Sequence, residues 1–242
     1  MKLKEIHYCW FGKNPKSKLI LKCIDSWRKY CPDYEIKEWN EDNFDVNCCA
    51  YVREAYEAKK WAFVSDYCRF YVLYNYGGIY LDTDVELLRN LESLENNFVG
   101  FENAYTVNSG LIRGAEKGDH ICQLMLQSYA TDKFVNSDGT LNLTTVCERE
   151  TNILCQLGMK KDNKLQVVSG TTIYPSECFQ PTDMSTGKVN PTKNTYSIHH
   201  YAASWVSKND RMRGKIAKWF YRMFGSETAN KIRKIFGRNR KI

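Results

Sequence analysis

Two carboxylates one residue apart, Asp82 and Asp84, follow the apolar run Ile79-Tyr80-Leu81, which the pair Gly77-Gly78 separates from a helical stretch carrying Asp66 and Arg69. Acids that emerge where a buried strand ends are costly unless something positive meets them. Hard oxygen ligands suit Mg²⁺ or Mn²⁺, and such a cation holds a diphosphate. On a strand, residues two apart project to the same side, so Asp82 and Asp84 are expected to reach one ion. Asp66 and Arg69, three apart on a helix, share a face. Singly, each signal is weak. Most Asp-x-Asp pairs are solvated loop acids, and most Asp/Arg pairs at this spacing are surface ion pairs. The Gly-Gly-Ile-Tyr-Leu run between them gives both a common address, and the pattern predicts a metal-dependent site for a nucleotide-sugar.

The elements that must position these residues follow from periodicity. Residues 5–10 read as a first strand, ended by Phe11-Gly12 and a polar loop with Pro15. Residues 17–30 place Leu19, Ile20, Cys23, Ile24 and Trp27 at helical spacing, with Pro32 beyond. Residues 34–39 alternate like a second strand. Two helices are expected over 49–60 and 62–76, the second closed by Gly77-Gly78 as a left-handed cap. Residues 79–81 read as a buried strand, and residues 98–102 and 109–113 as two more. Helices are expected over 121–129 and 145–157, strand-like segments at 165–168 and 196–200, and polar turns over 131–143 and 181–195. Strands alternating with helices predict an α/β fold with a mainly parallel sheet, helices on both faces and some mixed pairing late in the chain. In such sheets ligands sit beyond the carboxyl ends of strands, where Asp82 and Asp84 fall.

A chain of 242 residues, 43% hydrophobic, is long enough for one sizeable core. Its ten cysteines include no CxxC pair and only one adjacent pair, Cys48-Cys49. With no apolar leader ahead of the first strand, free thiols in a reducing cytoplasm are expected rather than a disulfide framework. No stretch approaches the roughly 20 apolar residues of a membrane-spanning helix. The net charge of +7 is unevenly spread, because residues 211–242 hold eleven Lys and Arg against Glu227 alone, a net of +10 that leaves −3 on the rest. Within that tail Ile216, Trp219, Phe220, Met223 and Phe224 form a helical stripe among basic residues, and Ala229, Ile232, Ile235 and Phe236 repeat it after Gly225. The tail is therefore expected to be amphipathic and to dock on an anionic membrane surface. Nucleic-acid binding is the rival reading of a basic tail, and the aromatic stripe argues against it.

Four motifs together carry a resemblance: Ile6-His7-Tyr8-Cys9-Trp10-Phe11-Gly12, Ser65-Asp66-Tyr67-Cys68-Arg69, the block from Tyr76 through Asp82-Thr83-Asp84, and His199-His200-Tyr201-Ala202-Ala203-Ser204-Trp205. The set resembles glycosyltransferase family 32, the DXD-sugar family of bacterial capsular polysaccharide transferases and yeast mannosyltransferases, and is similar to the glucosylating domains of large clostridial toxins. The resemblance implies a GT-A type Rossmann-like mixed sheet flanked by helices, a nucleotide-sugar donor, Mn²⁺ or Mg²⁺, and retention of anomeric configuration. Position by position, it implies that Asp84 binds the metal directly and that Asp82 contacts the donor and a metal-bound water. Asp66 and Arg69 would hold sugar hydroxyls, Arg69 also offsetting phosphate charge. Trp10 would lie near the base, although alone it reads equally well as a core residue at a strand end. Tyr80 and Asn108 would join the donor-binding set, while Ser204 and Trp205 would close over the diphosphate. Adjacent strand residues face opposite ways, so only one of His199 and His200 is expected at the metal. His200 is the expected ligand, since related retaining transferases show His, an aromatic and a short turn to Trp. The chain departs from the family over residues 144–151, where relatives show Thr-Gly-Pro and a further Thr. The missing Gly-Pro leaves acceptor contacts unassigned there.

These expectations combine into a catalytic domain over 1–206 and a membrane-associating tail over 207–242. The activity expected is transfer of a hexose from a UDP-sugar to a saccharide, with a lipid-linked acceptor in capsule or surface polysaccharide synthesis. Such an enzyme would be cytoplasmic and peripheral on the inner face of the cell membrane. No dedicated nucleophilic carboxylate stands out for double displacement, so front-face transfer is expected. A GDP-mannose-dependent mannosyltransferase is the alternative within the class. A non-enzymatic, basic-tailed nucleic-acid or protein-binding module is the alternative outside it.

Overall fold

The structure, a computed structural model, describes residues 4–183 and 186–202. Its elements in chain order are β1 (Glu5–Cys9), α1 (Lys18–Tyr30), β2 (Glu35–Trp39), α2 (Ala50–Glu57), α3 (Trp61–Tyr76), β3 (Gly78–Tyr80) and β4 (Val85–Leu87). There follow β5 (Phe98–Gly100), β6 (Arg113–Ala115), α4 (His120–Ala130), α5 (Val146–Gln156), β7 (Gln166–Val168), β8 (Thr171–Tyr174), a 3₁₀ turn (Ser176–Cys178) and β9 (Ser197–His199). Helix starts obey capping chemistry. Ser17 accepts from the Ile20 N–H, Asp119 from that of Cys122 and Thr145 from that of Glu148, each satisfying a donor the first turn leaves open.

Seven strands form one sheet in the order β2-β1-β3-β6-β5-β8-β7. The β1–β2, β1–β3 and β5–β8 pairs are parallel, whereas β3–β6, β5–β6 and β7–β8 are antiparallel. The sheet is thus evenly mixed rather than mainly parallel, and the mixing begins in its centre, at β3–β6. Ile6 and Tyr8 of β1 pack with α1 residues Ile20, Ile24 and Trp27 on one face. Cys9 and Tyr80 pack with residues of α2, α3 and α4 on the other, so helices cover both faces as expected.

Three local corrections matter for the site. The expected strand over 109–113 is mostly a turn, because the Asn108 side-chain oxygen accepts from the Gly110 N–H at 2.7 Å and the Leu111 N–H reaches Asn108 O at 3.2 Å. Gly77 does close α3, its N–H bonding Leu73 O at 2.9 Å, but with φ +76° and ψ −169° it lies outside the left-handed helical region and carries the chain straight into the extended conformation of β3. Asp82 and Asp84 do not alternate along a strand either. β3 ends at Tyr80, and the Val85 N–H bonds to Asp82 O at 3.0 Å in a turn that leads into β4. The sequence reading also missed β4, which pairs antiparallel with β9 as a separate two-stranded sheet, and β8, whose Thr-Thr-Ile-Tyr run is β-branched and lies inside the main sheet.

The chain divides into two compact units, Met1–Pro181 with Thr192–Tyr201, and Thr182–Pro191 with Ala202–Ile242. The candidate site lies within the first. The expected boundary near 206/207 and the expected amphipathic tail lie outside the described residues. No helix among the described residues is long and apolar enough to cross a membrane, and all ten cysteines are free thiols.

Candidate active site

The turn between β3 and β4 and the end of β9 build the centre. The β4–β9 register sets Val85 opposite His199, and the His200 N–H bonds to Asp84 O at 3.0 Å. This pairing brings His199 Nε2 to 2.9 Å from Asp84 Oδ1. Asp82, Asp84 and His199 each offer a ligand atom, all within 4.8 Å of one another. His199, not the expected His200, therefore joins the two acids. His200, facing the opposite way on the strand, places Nε2 2.8 Å from Glu86 Oε2, and Glu86 also pairs with Lys22 at 2.9 Å.

Helix α3 supplies the second group. Arg69 and Asp66, both buried, pair at 2.8 Å, and the same Arg69 nitrogen lies 3.3 Å from Asp82 Oδ1. The Tyr80 hydroxyl donates to that Asp82 oxygen at 3.0 Å, while the guanidinium lies over the Tyr80 ring at 4.8 Å. Arg69 Nη1 is buried without a hydrogen-bond partner. Burial raises the Asp66 pKa to about 6, outweighing the opposite pull of Arg69 and aided by the Asp82 charge. The backbone of Val146, at the start of α5, also pulls the Asp66 pKa down. Helix α5 thus begins within the segment 144–151 that departs from the family pattern, with Thr145 as its cap.

The loop after β5 closes the other side. The Asp82 N–H donates to Gly110 O at 3.0 Å, and a Cβ at Gly110 would meet Asp82 Oδ2 at 2.2 Å, so only glycine permits this approach. Asn108, also buried, donates from Nδ2 to Glu102 Oε1 at 2.9 Å, and the Tyr201 hydroxyl donates to the same oxygen at 2.9 Å. The Tyr201 ring packs against that of His199 with centroids 4.1 Å apart and planes tilted by 43°. Beneath the site, fully buried Arg113 of β6 pairs with Asp119 at 3.1 Å and with Glu150 of α5 at 3.2 Å.

Four acids, Asp66, Asp82, Asp84 and Glu102, thus surround Arg69 and His199, an excess of negative charge that suits a cation. Burial disfavours a charged His199, yet Asp84 more than offsets this and holds its pKa above the ordinary value. Its Nδ1 is buried and without a hydrogen-bond partner. Two carboxylates and an imidazole form a donor set that fits Mn²⁺ and, less selectively, Mg²⁺.

Of the residues expected from sequence, Asp66, Arg69, Tyr80, Asp82, Asp84 and Asn108 converge. Trp10 instead donates its indole N–H to Asn14 O at 2.7 Å and lines a cleft of about 310 Å³ with Lys16, Glu38 and Asn40. Ser204 and Trp205 lie outside the described residues. Sequence reasoning missed Glu102 and Tyr201. The position of Tyr201 directly after the His pair was a usable signal, and Glu102 carried none.

The fold is of the GT-A type, a mixed sheet flanked by helices, with an Asp-x-Asp pair beside an imidazole at its centre. Residues 17–102 match the family model described as glycosyltransferase sugar-binding region containing DXD motif. The chain is 28% identical over 120 residues to a lactosylceramide 4-alpha-galactosyltransferase of Rattus norvegicus, covering 49% of this chain and 31% of that protein. It is 26% identical over 179 residues to the Mus musculus protein of the same name, covering 68% and 48%. The chain thus spans about a third to a half of the length of these two relatives. Among solved structures, the PaToxG glycosyltransferase is similar with a TM-score of 0.52 at 22% identity, covering 64% of this chain and 69% of that one. These matches support a glycosyltransferase family without singling out the capsular type.

Proposed function

We propose that the protein is a metal-dependent, retaining glycosyltransferase that moves a hexose from a UDP-sugar to a lipid-linked saccharide. The observation that carries this reading is the meeting of Asp82, Asp84 and His199 within 4.8 Å, beside a buried guanidinium with a nitrogen to spare. The ion these three would hold supplies Lewis-acid stabilisation of the charge that develops as a nucleoside diphosphate departs. Asp66 and Asp82 both hold the Nη2 end of the Arg69 guanidinium, so its unpaired Nη1 donates to a donor oxygen without reorganising. The Tyr80 hydroxyl fixes the Asp82 rotamer. Asn108 and the Gly110 turn shape the wall against which the hexose rests. No carboxylate of the site stands apart as a dedicated nucleophile, which favours front-face transfer with the leaving phosphate accepting the acceptor proton.

The names of the rat and mouse relatives support the finer reading, since they specify a galactosyl group, an alpha linkage and a glycosylated ceramide. GDP-mannose is the rival donor. The test is metal-dependent release of nucleotide from UDP-galactose, UDP-glucose and GDP-mannose in the presence of Mn²⁺. One UDP-hexose is expected to be hydrolysed, and Asp84→Asn is expected to lower that rate by about 100-fold or more, as loss of a transition-state charge stabiliser does. Full activity in Asp84→Asn, or hydrolysis that survives EDTA, would refute the metal site.

The basic, aromatic composition of residues 211–242 supports peripheral binding to an anionic inner leaflet and a role in surface polysaccharide synthesis. Deletion from Ser207 onward is expected to abolish co-sedimentation with phosphatidylserine vesicles. Undiminished co-sedimentation would sink the membrane reading.

A further inference from the structure

One oxygen joins the two halves of the site. Glu102 Oε1 accepts from Asn108 Nδ2 and from the Tyr201 hydroxyl, each at 2.9 Å. The Asn108 bond orients its amide, because with Nδ2 committed to Glu102 the amide oxygen is left to accept from the Gly110 N–H. Gly110 in turn accepts the Asp82 N–H and leaves no room for a Cβ against the Asp82 carboxylate. On the other side, Tyr201 has φ +48°, an uncommon conformation for an aromatic residue. Strain of that kind persists where surrounding contacts over-determine it. Here the contacts are the hydroxyl bond to Glu102 and the tilted ring contact, 4.1 Å between centroids, with His199, whose Nε2 meets Asp84. Each chain of contacts starts at Glu102 and ends at one acid of the Asp-x-Asp pair.

We propose that Glu102 is a positioning residue which sets Asp82 through Asn108 and Gly110 and sets His199 through Tyr201, so that the three ligand groups of the site meet only when this acceptor oxygen is in place. The inference rests on the metal-site reading above. Outer partners that orient metal ligands are typically worth 10–100-fold in affinity or activity, whereas a surface glutamate with two incidental hydrogen bonds would be worth little in either.

The test measures Mn²⁺ binding alone, by electron paramagnetic resonance of the free ion, together with Mn²⁺-dependent UDP-hexose hydrolysis. Both are followed in wild type, Glu102→Ala, Glu102→Gln, Tyr201→Phe and the Glu102→Ala/Tyr201→Phe double variant, with thermal unfolding as the check on folding. Glu102→Ala is expected to weaken Mn²⁺ binding by about 10-fold and to slow hydrolysis by more than that. Glu102→Gln recovers most of both losses, because an amide oxygen accepts the same two hydrogen bonds. Tyr201→Phe reproduces part of the Mn²⁺ loss and adds nothing to Glu102→Ala, as expected of residues in one chain of contacts. The proposal is overturned if Glu102→Ala binds Mn²⁺ like wild type, if Glu102→Gln is as impaired as Glu102→Ala, or if the Tyr201 and Glu102 effects add. Wild type that binds Mn²⁺ but turns over no nucleotide-sugar sinks the transferase reading, while the binding series still decides the role of Glu102. Wild type that binds no Mn²⁺ sinks both.

Discussion

At the residue scale the site is a set of charges held under tension. Asp66 illustrates the cost, because burial keeps its pKa near 6 despite Arg69, so the folded protein binds its proton more tightly than the unfolded chain does. The stability that this implies is complete below the ordinary carboxylate value of 3.8 and is lost as pH rises through about 6. Asp66→Asn removes the charge without changing the shape. Its stability relative to wild type is expected to improve as pH rises from about 4 to about 6 and then to level off, which urea unfolding across that range would measure. Activity should move the other way, falling by about 100-fold as Arg69 loses its charged partner. A variant that is neither relatively steadier at high pH nor less active would contradict this account. Much of this scale was legible in advance. Asp66, Arg69, Asp82 and Asp84 stood out because spacing and charge sufficed to group them. The choice between His199 and His200 was not legible, since it depends on which side of a three-residue strand faces the turn, and that is fixed by β4, a partner no local pattern announced.

At the element scale, the passage from α3 into β3 decides where the acids emerge, and His7 holds it. The buried Trp39 indole donates to His7 Nδ1 at 3.2 Å, leaving Nε2 to donate to Gly77 O at 2.8 Å. A Cβ at Gly78, with φ +111°, would lie 2.6 Å from that same ring. Gly78→Ala is expected to cost about 1–3 kcal/mol from backbone strain alone, and more from the clash, read as a lower midpoint in urea unfolding. Burial holds the His7 pKa below 6.5, although Gly77 O, Glu5 and Glu35 pull it up, with Lys37 opposing them. Because the folded value is depressed, the stability due to neutral His7 is present above pH 6.5 and is lost as pH falls below it. A wild-type melting temperature that declines below pH 6.5, with a shallower decline in His7→Gln, is the expected result. The sequence announced the glycine pair and its role in closing α3. It did not announce the extended ψ at Gly77 that passes the chain straight into β3, nor the ring that bars a side chain at Gly78.

At the scale of the whole molecule, the sheet is mixed as the family resemblance implied, although alternation alone suggested a mainly parallel sheet with mixing only late in the chain. The reason is that β6 inserts antiparallel between β3 and β5, a placement that depends on a long excursion through residues 88–112 rather than on any local pattern. Arg113 pins the insertion from β6 to the cap of α4 and to α5. Arg113→Ala would strand Asp119 and Glu150 without their cation, at an expected cost of about 3–5 kcal/mol, measurable as a fall in unfolding free energy. The β4–β9 pairing has a consequence in time. Asp84 and His199 are separated by 115 positions, so at ribosomal speeds of roughly 5–20 residues per second the first of them waits on the order of ten seconds for the second. During synthesis the nascent chain exposes the Asp82–Asp84 turn with neither its imidazole nor Tyr201 opposite it. The Asp82, Asp84 and His199 cluster is therefore a late event in the biography of each molecule, completed only after the main sheet has its strands.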